Sequence, residues 1–107
     1  MAAADLDYVA FGMIVGGTGT DNTEAFSNQR MVKAMYFSGN ADNATCVIQT
    51  KDPSGSYVNA HYFKSNDTNE LNSASGNQAW FGEKGSPFNG MMVNLSHAND
   101  RLFIHFV

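Results

Sequence analysis

With 107 residues the chain has the length of one ordinary domain, so every motif in it is expected to share a single core. Apolar residues make up 43% and aromatic residues 12%, enough to build that core, while charged residues supply only 15% and neutral Asn, Ser, Thr and Gly fill the difference. The formal charge of −4, with only six Lys and Arg, offers no positive field to a phosphate backbone, and no apolar run approaches the roughly 20 residues that span a bilayer; neither a nucleic-acid nor a membrane partner is expected.

Residues Leu6 to Val15 are apolar and β-prone, and the Gly16-Gly17-Thr18-Gly19-Thr20 run ends them in a loop, so the N-terminal segment reads as one strand. Asp21 to Arg30 is polar apart from Ala25 and Phe26 and reads as an extended linker or arm in preference to a short helical turn capped by Asp21 or Thr23. Met31 to Phe37 is a strand. Gly39 to Asn43 turns the chain, and Ala44 to Thr50 returns as the second arm of a hairpin. In that arm Ala44, Cys46 and Ile48 fall on one face and Thr45, Val47 and Gln49 on the other, the period-2 pattern of a half-buried strand.

Asp52-Pro53-Ser54-Gly55 has the residues of a tight turn, after which Tyr57 to Phe63 is a strand. Lys64 to Gly76 is almost wholly polar and reads as a long exposed loop. Ala79-Trp80-Phe81 is a short apolar island. Gly85-Ser86-Pro87 turns again, Met91 to Leu95 is a strand, and a turn at Ala98-Asn99-Asp100 leads into a last strand, Leu102 to Val107, with Leu102, Ile104 and Phe106 on its buried face. Strands separated by turn signals at this spacing predict an all-β fold, an antiparallel β-sandwich or jelly-roll-like barrel.

The motifs that would carry chemistry lack their context. Met13-Ile14-Val15-Gly16-Gly17-Thr18-Gly19 imitates a dinucleotide-binding turn, yet the third glycine of that fingerprint falls at Asn22 and no amphipathic helix follows. His61, His97 and His105 sit at no metal-ligand spacing, no Ser occupies a Gly-x-Ser-x-Gly elbow, and the carboxylates lie mostly in turns. Asp67-Thr68-Asn69-Glu70 offers oxygen ligands that could hold a weak calcium, but a solvated loop is the expected reading. Lone Cys46 cannot close an internal disulfide and reads as a small core residue in a chain kept in a reducing cytosol. The N-terminus shows no secretory pattern. No cofactor, metal or catalytic residue is expected. The exposed-aromatic candidates are Tyr57, Trp80 and Phe81, which can either stack on a partner or a sugar ring or fill the core.

From Met31 onward the order of strands and turns resembles small β-sandwich virion proteins of tailed phages, the group of capsid decoration (cement), head-fibre and neck or tail attachment proteins. The residues that carry it are Val32-Lys33-Ala34-Met35-Tyr36-Phe37-Ser38-Gly39 with the strand ending Gln49-Thr50-Lys51-Asp52, then Pro87-Phe88-Asn89-Gly90-Met91-Met92-Val93 and Arg101-Leu102-Phe103-Ile104-His105-Phe106-Val107. Gly90-Met91 stands where such proteins usually have a Gly-Leu step. The resemblance covers about three quarters of the chain and transfers no individual functional residue. It implies a non-enzymatic component on the capsid surface, synthesised in the host cytoplasm. Its partner would be the major capsid protein or another virion protein, and it would often assemble as a trimer. A carbohydrate-binding module is the expectation from another class.

Overall fold

A computed structural model describes residues 2–16, 22–40, 43–64 and 78–107. Among the described residues there are eight strands and no helix. They are β1 (Ala2–Ala3), β2 (Phe11–Val15), β3 (Asn22–Ser38), β4 (Thr45–Lys51), β5 (Tyr57–Lys64), β6 (Gln78–Trp80), β7 (Ser86–Leu95) and β8 (Arg101–Phe106). Their hydrogen-bonded order is β2-β8-β3-β7-β4-β5. All these pairings are antiparallel; β6 also pairs antiparallel with β3, and β1 joins β3 in parallel. The two end strands do not pair, so the sheet is not closed into a barrel and the sandwich expectation is the one the architecture fits.

The sheet folds over itself. Phe37 in the C-terminal half of β3 stacks on Phe63 of β5 with ring centroids 6.3 Å apart, although β7 and β4 lie between those strands in the hydrogen-bonded order. Contact without pairing means two layers face each other across a core. Phe26, Phe37, Phe63, Ile48, Leu102 and Ile104 are buried there, each contributing about 1.5–3 kcal/mol by leaving water. The expected inner faces of β4 and β8 are correct: Cys46 and Ile48, and Leu102, Ile104 and Phe106, are all buried.

Four expectations are corrected. The segment from Asn22 to Arg30 is not a linker; it is the first half of the 17-residue strand β3, paired with β7 over Asn22 to Val32 and with β1 at Thr23 and Glu24. Register shifts between Glu24 and Phe26 and between Phe26 and Gln29 break its period, which is why consecutive Ala25 and Phe26 are both buried and no alternation shows in the sequence. The expected hairpin of β3 with β4 does not exist. β4 pairs with β5 and β7, and the intervening turn is a crossing between layers. Within the expected Leu6 to Val15 strand, regular structure starts only at Phe11; Asp5 has φ 56°, and residues 4–10 run irregularly from β3, where Ala4 and Leu6 N–H donate to the Glu24 and Ala25 carbonyls, to the end of β8, where Phe106 N–H donates to the Ala10 carbonyl. Arg30 holds that run, its guanidinium donating to the carbonyls of Leu6 (2.6 Å) and Val9 (2.7 Å) and covering the Phe106 ring at 3.8 Å.

The fourth concerns β7, which begins at Ser86 rather than after a turn at Gly85-Ser86-Pro87. Met91, Met92 and Val93 are all buried, so simple alternation fails there. Gly90, at φ 69°, bends the strand between its two halves, and it lies so close to the Ser27 carbonyl and Tyr57 hydroxyl that a Cβ would crowd both. The register shift between Phe26 and Gln29 lies opposite Gly90 and changes the phase of the strand, so Phe88 is buried before it and Met91, Val93 and Leu95 after it.

Candidate interaction face

The register of β2, β8, β3 and β6 lines up side chains in cross-strand rows. Phe11 lies opposite His105, His105 opposite Ala34, and Ala34 opposite Trp80. The next row runs Met13, Phe103, Tyr36, Gln78, and a third runs Val15, Arg101, Ser38. Strand alternation turns all of these outward, because their neighbours Ile14, Leu102, Ile104, Met35 and Phe37 fill the core. The result is a sheet that is apolar on both faces.

The outer face is a coupled aromatic surface. Phe11 packs on His105 at 4.4 Å and on Phe103 at 6.0 Å, and Phe103 meets Tyr36 at 6.0 Å. Trp80 is 65% exposed, Phe11 49%, Met13 45% and Val15 43%. Together these four present roughly 300–400 Å² of apolar area, the range in which patches on soluble proteins tend to be functional. A groove of about 550 Å³ runs beside Trp80, between Tyr36, Gln78 and His105. A second groove of about 590 Å³, on β4 and β5, is lined by Val47, Asn59, Ala60, His61 and Tyr62 and carries no such rows.

The three aromatic candidates separate. Trp80 belongs to the outer face. Phe81 turns the other way; it is half-buried against the core, edge-on to His61 at 6.0 Å and to Phe88 at 5.9 Å, with its N–H donating to the Lys33 carbonyl. Tyr57 lies on β5, where its hydroxyl donates to Glu24 at 2.8 Å and Lys51 sits 5.5 Å from its ring. Burial first, and then the Glu24 carboxylate, push the Tyr57 phenol up to about 12. Tyr57 therefore ties β5 to β3. The sequence reading missed Phe11, Tyr36 and Phe103, whose outward side became visible only with the strand register.

It also missed Asp100. Expected in an exposed turn, this carboxylate is completely buried and accepts from Asn40 N–H (2.6 Å), His97 N–H (2.9 Å) and the Ser96 hydroxyl (3.2 Å). Ser96 Oγ in turn accepts from Thr45 N–H at 2.8 Å, and the Asp100 carbonyl accepts from Gly16 N–H. One buried side chain thus joins the β7–β8 turn to the crossing between β3 and β4. Ser96, His97 and Asp100 do not form a hydrolytic relay, because Ser96 Oγ at 2.7 Å and Asp100 Oδ2 at 3.9 Å both address the same ring nitrogen, Nδ1. A relay needs the two ring nitrogens to serve different partners.

Cys46 is buried, and its thiol is pushed well above the ordinary range by desolvation and then by the negative charge of Asp100. Burial lowers His61. Among the described residues no three His, Cys, Asp or Glu side chains gather as a metal site. After Gly16 the next described element is strand β3, where a dinucleotide fold would place a helix. Residues 17–20, and the proposed calcium ligands at 67–70 within the expected 64–76 loop, lie outside the described residues. Among the described residues no helix is long and apolar enough to cross a membrane. Compared with known proteins, the chain matches no family model, no curated protein and no solved structure.

Proposed function

We propose that this chain is a non-enzymatic structural protein of a phage virion, a capsid decoration or cement protein that lays the outer face of β2, β8, β3 and β6 against the major capsid protein or another virion protein. The observation that carries this reading is the exposed pair of rows Phe11–His105–Ala34–Trp80 and Met13–Phe103–Tyr36–Gln78. Aromatic and Met side chains held on paired strands supply large contact area with little ordering cost, the composition of protein–protein contact surfaces. Arg101 and Ser38 at one end give the patch a polar border.

The test uses capsids prepared without this chain. Purified protein should co-sediment with them to a saturating, lattice-related stoichiometry and raise the temperature at which they lose DNA. The double variant Trp80→Ser with Phe103→Ser, folded by circular dichroism, should do neither. Saturation at a few copies per particle would move the protein to the neck, tail or a head fibre, and no sedimentation would reject the virion reading. A carbohydrate-binding module is favoured by one observation, the exposed Trp80 ring beside Gln78 and His105 in an open groove. Hits on a glycan array abolished by Trp80→Ala would select it.

A further inference from the structure

β2 ends the sheet order, and among the described residues nothing pairs with its far edge. Two hydrogen bonds fix the phase of the β2–β8 ladder: Phe106 N–H donates to the Ala10 carbonyl at 2.9 Å and Gly16 N–H to the Asp100 carbonyl at 2.8 Å. With the register Gly12 to Ile104 and Ile14 to Leu102, the even-numbered residues of β2 address β8. The backbone N–H and C=O of Phe11, Met13 and Val15 therefore point into the open edge.

Sheets ordinarily protect such edges with charges, prolines or bulges. The opposite end strand follows that rule, for β5 carries a register shift at Ala60, polar Asn59 and His61, and Lys64 at its end. β2, Phe-Gly-Met-Ile-Val, has no charge, no proline and no bulge. Its outward side chains are among the most exposed apolar groups of the protein.

We propose that β2 pairs antiparallel with β2 of a second copy across a two-fold axis passing beside Met13. The open backbone groups recur at every second residue and are symmetric about Met13, so the edge is complementary to itself. Met13 meets Met13, and Phe11 meets Val15, of the second copy, each pair exchanging two N–H···O bonds. The pairing joins the two aromatic faces into one sheet-wide surface. The β2 side chains supply far less than the roughly 800 Å² per partner of a standard stable interface, so the dimer is a reversible one that dissociates on dilution. The pairing does not rest on the virion reading: a dimer that ignores capsids, or a capsid-bound monomer, would separate the two.

The experiment is sedimentation velocity on the whole chain from about 1 to 500 µM, over which the mass should rise from 11.6 kDa toward twice that value. Met13→Pro removes an N–H that faces the open edge and none that serves β8, so it should fold with unchanged melting temperature yet associate about tenfold or more weakly. Met13→Cys should form a covalent dimer under mild oxidation, because facing Cα atoms of such a pair lie about 5.5 Å apart, while buried Cys46 leaves the parent chain uncross-linked. Trp80→Ala, on the same face but away from the edge, should still dimerise. A wild-type monomer at 500 µM, a trimer, an unaffected Met13→Pro dimer, an uncross-linked Met13→Cys chain, or loss of the dimer in Trp80→Ala would overturn the proposal.

Discussion

Replacing Asp100 by Ala should be among the most damaging polar substitutions in this protein. The side chain is completely buried and receives two backbone N–H groups, of Asn40 and His97, and one hydroxyl, of Ser96. Hydrogen bonds to a charged group contribute about 1.5–3 kcal/mol each, and a buried donor left alone costs about 1–3 kcal/mol. Asn40 and His97 are themselves exposed, so water can recover part of that loss. A cost of about 3 kcal/mol results, a large share of the roughly 5–15 kcal/mol that holds a domain together. With a urea dependence of about 2 kcal/mol per molar, the unfolding midpoint should fall by about 1.5 M. Asp100→Asn should cost about 2 kcal/mol, because its amide N–H2 must face either the Asn40 or the His97 N–H while its oxygen still serves the other. Equilibrium urea unfolding followed by Trp80 fluorescence and circular dichroism reads both variants. A midpoint lowered by less than about 0.3 M in Asp100→Ala, or an Asn variant as stable as wild type, would show that these bonds do not hold the turn.

Three other outcomes follow from the same structure. The Cys46 thiol should be silent toward a thiol reagent at pH 8 in the native protein and titrate fully in urea; fast native reaction would contradict its burial. Tyr57→Phe should cost about 1 kcal/mol through loss of the half-buried bond to Glu24, and a spectrophotometric titration should lose its latest-ionising tyrosine, near pH 12. Burial lowers the folded-state pKa of His61, so below its ordinary value near 6.5 the unfolded chain binds more protons than the folded one. Stability should therefore rise as pH increases through that value, and His61→Gln should flatten this part of the unfolding profile. An unchanged slope would assign it to other groups.

Sequence reading succeeded where one face of a strand meets the core without interruption. Thr45 to Ile48 and Arg101 to Phe106 alternate cleanly, and their inner faces were legible as written. It failed where bulges break the period, as between Glu24 and Gln29, where the polar string Ser-Asn-Gln-Arg concealed half of the longest strand. It failed again at topology. The turn after Ser38 looks like a hairpin, but whether two sequential strands pair or cross between layers depends on which distant strand fills the gap, and β7 fills this one. Asp100 was hidden because a Ser-His-Ala-Asn-Asp run reads as solvated turn; only the fold brings Asn40 and Thr45 to it. Trp80 and Phe81 show the limit most sharply. Two adjacent aromatics in an extended segment face opposite ways, and composition cannot say which one faces water.

The proposed contact surface is the outer face of β2, β8, β3 and β6, and a cryo-EM map of native particles tests it most directly. It should show this chain repeated over the capsid lattice with Phe103, Tyr36 and Trp80 turned into the contact. A chain resolved on the lattice with those three side chains facing solvent, or a lattice without it, would rule that contact out.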